Sequence, residues 1–190
     1  MKSLREAAAQ CRGCDLYKYA TQTVFGEGPA SARLMLVGEE PGDSEDLVGR
    51  PFVGPAGKLL HRAMEGAGID PRAVYVTNAV KHFKFVERGK RRIHQKPKIV
   101  EVRACKPRLQ SEVAVVKPTL VVALGATAAQ WLLGSAFRLM ANRGRVLAGP
   151  PRTLATIHPS AILRAPDSDG RRQLMTYLVT DLRKAVRAVS

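Results

Sequence analysis

A chain of 190 residues, 45% of them hydrophobic, is long enough to bury a core and too apolar to be intrinsically disordered. Its 31 Lys and Arg residues outnumber 16 Asp and Glu residues, and the net charge of +15 predicts an acidic partner, most simply a nucleic acid. The most apolar stretch, residues 121–134, is too short to cross a membrane, and the polar N-terminus lacks a signal-peptide core. We therefore expect a cytoplasmic protein without a membrane partner.

Buried-strand patterns alternate with helical patterns along the chain. The strands are predicted at residues 33–37, 73–77, 119–124 and 152–157. The helices are predicted at residues 59–67, 99–116, 126–133 and 171–189, with a kink at Pro107 in the second. This order predicts an α/β fold: a three-layer α/β/α sandwich around a central four-stranded parallel sheet. Without a repeat or a linker, residues 1–190 are expected to form one domain.

Three polar segments follow predicted strands and are expected to meet at one edge of the sheet. They are residues 38–54, 78–98 and 158–160. Ligands of parallel sheets bind outside the carboxyl ends of the strands, so the chemistry is expected there. A phosphate-binding P-loop is excluded, because Phe52 and Leu59 stand where that motif needs Gly and Ser or Thr. No glycine fingerprint of a dinucleotide site follows a strand either.

The three cysteines predict a metal site. Cys11 and Cys14 have the spacing of metal ligands, and Cys105 lies in a predicted helix. Three thiols do not complete a four-coordinate site, and His82 is the best candidate for the fourth ligand. Spacing alone leaves zinc and an iron–sulfur cluster open.

Positive charge is concentrated between Lys81 and Arg108, where eleven Lys and Arg residues accompany two Glu residues. A basic loop at about residues 84–98, inserted into the domain, is expected to hold phosphates. Composition alone favours interpreting His94 as one more polar residue of that loop. His158 follows the fourth predicted strand at the functional edge, where a catalytic role and a turn-capping role are equally expected.

Several motifs in the same order resemble the iron–sulfur uracil-DNA glycosylases, over nearly the whole chain from Cys11 onward. They are residues 38–42 (GEEPG), 49–57 (GRPFVGPAG), 76–78 (VTN) and 158–160 (HPS). Residues 90–94 (KRRIH) and 78–85 (NAVKHFKF) look like family X, whose members become covalently attached to uracil-containing DNA. Family-4 enzymes lack this inserted loop and carry a fourth Cys where this chain has His82. The resemblance implies a [4Fe–4S] cluster, with zinc as the alternative, held by Cys11, Cys14, His82 and Cys105.

The resemblance also implies a uracil pocket and a set of reacting groups. The pocket residues are Gly38, Glu39, Glu40, Phe52, Asn78 and His158. Phe52 is expected to stack on the base, Asn78 to pair with its polar edge, and His158 to stabilise the departing uracil. The catalytic residues implied are His94, Glu39, His158 and Asp43. The loop residues implied to bind DNA are Lys90, Arg91, Arg92 and Lys96, with Arg92 also locking the loop.

In the implied reaction His94 attacks C1′ of the sugar in place of water, which would give one turnover and a stable adduct. Glu39 is expected to orient His94 and accept its proton, and flanking cations are expected to keep the imidazole neutral. Glu40 is a departure from family X, which often has Gln there. The expected partner is uracil-containing DNA, single-stranded or with the nucleotide flipped out, and the protein is expected to be a monomer. The alternatives are a multiple-turnover family-4-like glycosylase and a non-catalytic, metal-stabilised DNA-binding module.

Overall fold

The computed structural model describes residues 1–189 and has a five-stranded sheet with helices on both faces. The strand order is β2-β1-β5-β7-β6. The bounds are β1 Leu34–Gly38, β2 Val74–Asn78, β5 Leu120–Leu124, β6 Val146–Leu147 and β7 Thr153–Thr156. The α/β class is therefore confirmed. The prediction of four strands was wrong by one, because β6 has only two residues, too few for any period to be visible, and pairs antiparallel to β7.

The central strands β1 and β5 are buried on both faces, as expected of a parallel sheet covered by helices. Alternate side chains of β1 enter two cores. Leu34 and Leu36 belong to the core beneath the third and eighth helices, whereas Met35 and Val37 belong to the core beneath the fourth and fifth helices. This alternation fixes the register of β1, because a slip of one residue would exchange the two cores.

Eight α-helices and two short 3-10 helices lie within residues 1–189, and the α-helices surround the sheet. They are α1 Lys2–Ala9, α2 Asp43–Val48, α3 Pro55–Ala67, α4 Ile99–Val116, α5 Ala126–Leu133, α6 Leu139–Asn142, α7 Pro159–Leu163 and α8 Ser168–Val189. The bounds of α4 and α5 match the prediction. Helix α3 begins earlier than predicted because Gly54 caps it and Pro55 occupies its first position. No helix in the described part is long and apolar enough to span a bilayer.

The segment predicted as a basic loop contains a β-hairpin. Strands β3 (Phe85–Arg88) and β4 (Arg91–His94) pair antiparallel, and the pairing places Phe85 opposite His94. Gly89, at the turn, has φ +58°, a conformation that glycine adopts without strain. Most hairpin side chains are exposed, so the strands lack the apolar alternation that would have revealed them. The single-domain prediction for residues 1–190 stays a prediction, and Ser190 lies outside the described residues.

Candidate active site

The carboxyl ends of β1 and β2 lie side by side and carry the first group of polar residues. Gly38 of β1 is in register with Asn78 of β2. Beyond the strands, the backbone N–H of Ala79 donates to Gly38 O at 2.9 Å, and that of Val80 donates to Glu39 O at 2.9 Å. These hydrogen bonds hold the two segments together past the end of the sheet. The structure thus brings together two of the three segments that were expected at this edge.

Gly38, Phe52 and Asn78 converge on one point. A Cβ at Gly38 would lie 2.2 Å from Asn78 Oδ1 and 2.7 Å from Phe52 Cζ, so the close approach requires glycine. Phe52 is held by an unusual backbone, with φ 55°, and its carbonyl oxygen would lie 1.8 Å from a Cβ at Gly57. Asn78 Oδ1 is buried and has no hydrogen-bond partner within residues 1–189. A ligand that offers a donor would satisfy this acceptor.

His158 follows β7 and faces the same site, with its ring centroid 6.3 Å from that of Phe52. Its Nδ1 accepts a hydrogen bond from the backbone N–H of Ser160 at 3.1 Å and lies 2.7 Å from the Ser160 hydroxyl. Burial, with repulsion from Arg164 and His94, lowers the pKa of His158 to about 4. The imidazole is therefore neutral near pH 7, and because Nδ1 accepts, its proton is on Nε2.

His94 reaches the site from β4. Its Nε2 lies 2.9 Å from Oε1 of Glu40, and the Glu40 side chain is fully buried while half of His94 is exposed. Neither Glu40 oxygen has a donor in full hydrogen-bonding geometry within residues 1–189. Burial raises the pKa of Glu40 to about 7, although contact with His94 acts in the opposite direction. The same contact raises the pKa of His94 above its ordinary value.

Two expectations about His94 need correction. The carboxylate in contact with His94 is Glu40, not Glu39; Glu39 acts on the pKa of both residues only through its charge. The pKa of His94 is raised, whereas the flanking cations were expected to lower it. The reason is distance, since a buried carboxylate in contact outweighs cations that extend into solvent.

Arg92 attaches the hairpin to α2. Its Nε donates to Asp43 at 2.6 Å and its Nη1 donates to the fully buried carboxylate of Asp46 at 2.6 Å. The guanidinium also lies over the rings of Phe83 and Phe85, at 5.4 and 5.0 Å from their centroids. These contacts join the hairpin to α2, and the locking role expected of Arg92 stays a prediction. They also occupy the carboxylate of Asp43, which was expected to be catalytic.

Exposed cations cover the outside of the hairpin. Lys90, Arg91 and Lys96 are exposed and form no ion pair within the described residues. Lys81 was expected to begin this surface, but it is 1% exposed and paired with Glu112. Lys84 is also withdrawn from the surface, by an ion pair with Glu101 at 2.8 Å. The basic surface is therefore narrower than the sequence indicated.

The predicted metal ligands lie in one region. Cys105 is buried, and burial raises the pKa of its thiol to about 11, with smaller contributions from Cys14 and Cys11 nearby. His82 is buried as well; its Nε2 is 2.9 Å from Thr23 Oγ1, and its Nδ1 has no partner within residues 1–189. His82 and Cys11 line one cavity, and a buried nitrogen without a partner there fits a metal-bound group. No three His, Cys, Asp or Glu side chains in the described part are grouped closely enough for a single ion.

Glu45 was missed by the sequence analysis. Its carboxylate accepts hydrogen bonds from the backbone N–H of Gly54 at 2.7 Å and of Gly42 at 3.2 Å. It thus fastens the loop after β1 to the segment that bears Phe52. The sequence carried only a weak signal, because Gly42 has no side chain with which to complete a capping box and only the Glu three residues later fits that pattern.

Comparison with known proteins identifies the family. Residues 25–183 match the model of the uracil DNA glycosylase superfamily. The chain belongs to this superfamily. It is 35% identical over 186 residues to the Type-4 uracil-DNA glycosylase of Pyrobaculum aerophilum, covering 91% of this chain and 89% of that protein. It is 34% identical over 188 residues to the Type-4 enzyme of Thermotoga maritima, covering 97% and 92%. A Type-5 uracil-DNA glycosylase of P. aerophilum is 29% identical over 180 residues, covering 84% and 75%.

The contact between His94 and Glu40 in this glycosylase-superfamily site predicts that His94 and His158 titrate on opposite sides of the ordinary histidine pKa. We expect His94 to titrate above the ordinary histidine pKa of about 6.5, and Glu40→Gln to lower its pKa because the carboxylate is removed. His158 should remain neutral down to about pH 5 in both proteins, since its pKa is about 4. The measurement is an NMR titration of the imidazole resonances. An unchanged His94 pKa in Glu40→Gln would show that the contact does not exist in solution.

Proposed function

We propose that this protein excises uracil from DNA and captures the resulting sugar by forming a bond between His94 and C1′. The observation that carries the proposal is the position of His94. Its Nε2 lies 2.9 Å from the buried carboxylate of Glu40. Its charge also lowers the pKa of His158, which lies at the pocket formed by Phe52 and Asn78. Ring nitrogens of histidine are competent nucleophiles when neutral. A half-exposed imidazole held at the mouth of such a pocket can reach a sugar whose base lies inside.

The pocket is suited to uracil by its polar atoms. The unpartnered Oδ1 of Asn78 would accept from uracil N3–H, and the amide nitrogen would donate to O4. Cytosine has an acceptor at N3 and a donor at its C4 amine, so both contacts would fail. Each buried group left unpaired costs about 1–3 kcal/mol, which is sufficient for strong discrimination. Phe52 would stack on the base beside Gly38.

His158 would assist the departure of uracil. Cleavage of the glycosidic bond moves an electron pair onto uracil N1 and leaves positive charge on the sugar. A neutral imidazole with its proton on Nε2 can donate a hydrogen bond to the uracil O2, where negative charge develops. Because Ser160 already fixes Nδ1, the donor is oriented before the substrate arrives.

His94 would complete the exchange of bonds. The C1′–N1 bond breaks, and the lone pair of the unprotonated His94 nitrogen forms the new bond to C1′. The ring then carries a positive charge, and the carboxylate of Glu40 stabilises that charge or accepts the remaining N–H proton. Capture requires neutral His94, so its rate should rise with pH through the raised pKa of His94. Glu39 is proposed to support the cationic sugar by its charge.

The hairpin would position DNA through phosphate contacts. Lys90, Arg91 and Lys96 are exposed beside His94, so a strand held by them would present one nucleotide to the pocket. A paired base is out of reach of His94, and therefore the nucleotide must be flipped out or already single-stranded. The protein is proposed to act as a monomer, since all these groups come from one chain.

Cys11, Cys14, His82 and Cys105 are proposed to hold a [4Fe–4S] cluster, with zinc as the alternative. A cluster of four irons presents its coordination sites farther apart than one ion does, which agrees with ligands that are not grouped around a single point. When bound, such a group would tie the N-terminal Cys pair to α4 and to the segment after β2. Its contribution would be to hold these segments in place.

The second candidate is a multiple-turnover glycosylase, in which water attacks C1′. It is favoured by the names of the Type-4 relatives and by Glu40, whose raised pKa of about 7 suits a group that takes a proton from water. The two candidates share the pocket and differ only in what reaches C1′. They therefore differ in the number of uracils released per protein.

The adduct is the first test. Mixed with an excess of uracil-containing oligonucleotide, the wild type should release one uracil per chain and migrate with the DNA in denaturing electrophoresis. His94→Gly should abolish the adduct and leave room for water, giving slow repeated release. Asn78→Ala should lose both products because the base is no longer recognised. An adduct that persists in His94→Gly, or wild-type turnover without an adduct, would contradict capture by His94.

The basic hairpin surface predicts a change in salt dependence. Lys90→Ala/Arg91→Ala should weaken binding to uracil-containing and uracil-free DNA alike. The slope of log affinity against log salt should flatten by about one unit for each phosphate group that the variant no longer neutralises. Lys184→Ala/Arg187→Ala, which removes the same charge from the exposed face of α8, is the control and should change little. Equal effects of the two double variants would mean that net charge alone matters.

Metal analysis tests the cluster. We expect about four irons per chain after anaerobic purification, with the broad visible absorption of iron–sulfur charge transfer. His82→Ala should lower the iron content, and His61→Ala, which alters an exposed histidine of α3, should not. One zinc and no iron would leave the zinc alternative in place of the cluster.

A further inference from the structure

Lys81 is buried in the core between β2 and α4, with 1% of its surface exposed. Its Nζ donates to Thr77 Oγ1 at 2.6 Å, to the backbone oxygen of Asn78 at 2.7 Å, and to Oε2 of Glu112. The ammonium group thus uses its three N–H donors, and one of them holds the backbone of Asn78.

Glu112, the partner of Lys81, is equally well satisfied. Its Oε1 accepts from the hydroxyl of Tyr75 at 2.9 Å and from the backbone N–H of Gly26 at 3.0 Å, and Thr77 lies 3.1 Å from both oxygens. The carboxylate has no exposed side-chain surface. Each of the two buried charges is therefore compensated by the other and by the surrounding polar groups.

The backbone of Lys81 makes two further connections. Its N–H contacts the thiol of Cys105 and lowers the pKa of that thiol, and its carbonyl oxygen accepts from the N–H of Val24 at 2.8 Å. His82 is the next residue. Lys81 therefore lies between Asn78 on one side and the region of Cys105 and His82 on the other.

A buried ion pair seldom raises the free energy of unfolding, because apolar residues of similar volume often stabilise a fold equally well or better. The contact with Asn78 offers a different reason for the lysine. The side-chain amide of Asn78 can select a base only if its backbone is fixed, because a small rotation would misalign both hydrogen bonds. In the described structure Lys81 is the side chain that donates to the Asn78 carbonyl.

We propose that Lys81 is a positioning residue for base recognition: its buried ammonium group, paired with Glu112, fixes the backbone of Asn78 and thereby aligns the amide that distinguishes uracil from cytosine. This inference rests on the proposed function, in which Asn78 reads the base. Lys81 itself does not touch the substrate.

The chain offers a matched control. The ion pair of Lys84 with Glu101 joins the same two parts of the fold, the segment after β2 and helix α4, and it is partly buried. Lys84 does not contact Asn78. Lys84→Met therefore removes a neighbouring ion pair without removing the anchor, whereas Lys81→Met removes the anchor.

The measured quantity is the uracil preference, defined as the affinity for an oligonucleotide with one 2′-fluoro-deoxyuridine divided by the affinity for the same oligonucleotide with 2′-fluoro-deoxycytidine. Fluorine at C2′ slows glycosidic cleavage, so equilibrium binding can be measured with the full chain. Lys81→Met and Asn78→Ala should each lower the preference at least tenfold, and Lys84→Met should leave it unchanged. Affinity for uracil-free DNA should be the same in all of them.

The double variant Lys81→Met/Glu112→Gln separates positioning from stability. It removes both buried charges, so its melting temperature should recover relative to Lys81→Met, and it also provides a folded protein if Lys81→Met does not fold. Its uracil preference should stay low, because no ammonium group reaches the Asn78 carbonyl. Recovery of the preference together with the melting temperature would overturn the proposal, as would a wild-type preference in Lys81→Met. Failure of the proposed function is a different result, since the wild type would then show no preference for uracil.

Discussion

The parallel pairing of β1 with β2, which sets Gly38 opposite Asn78, is the constraint on which the site depends. The carboxyl ends of parallel strands lie at the same edge of the sheet, so the polar residues that follow each strand lie close together. Gly38 has no side chain, and therefore Asn78 and Phe52 can approach each other. His158 arrives from β7 at the same edge, and the hairpin that follows β2 supplies His94. A register shift of one residue would turn Asn78 into the core and remove the pocket.

Buried polar atoms without partners mark the places where chemistry is proposed. Within residues 1–189 they include Asn78 Oδ1 and Nδ1 of His82. Leaving such an atom unpaired costs the fold about 1–3 kcal/mol, and folded proteins rarely tolerate several without a reason. A base in the pocket would satisfy the first atom, and a metal-bound group would satisfy the second. Lys81 and Glu112 show the contrast, because in that buried pair every donor and most acceptors are used.

The sequence was sufficient for the strands β1, β2, β5 and β7 and for helix α4, because buried runs and helical periodicity report burial directly. It was not sufficient for β6, which has two residues, or for the hairpin, whose exposed strands lack alternation. The choice between Glu39 and Glu40 could not be made either, since adjacent residues after a strand point in different directions. The burial of Lys81 was hidden for a related reason: its partner Glu112 lies 31 positions away and carries no local signal.

The central claim is that His94, rather than water, forms the bond to C1′, and a crystal structure of the protein after reaction with a uracil-containing oligonucleotide tests it most directly. The expected result is continuous density from a ring nitrogen of His94 to C1′, with Glu40 still in contact with the imidazole and uracil between Phe52 and Asn78 or already released. Density for a hydroxyl group on C1′, with a separate His94 and a water molecule beside Glu40, would contradict the account and establish hydrolysis instead.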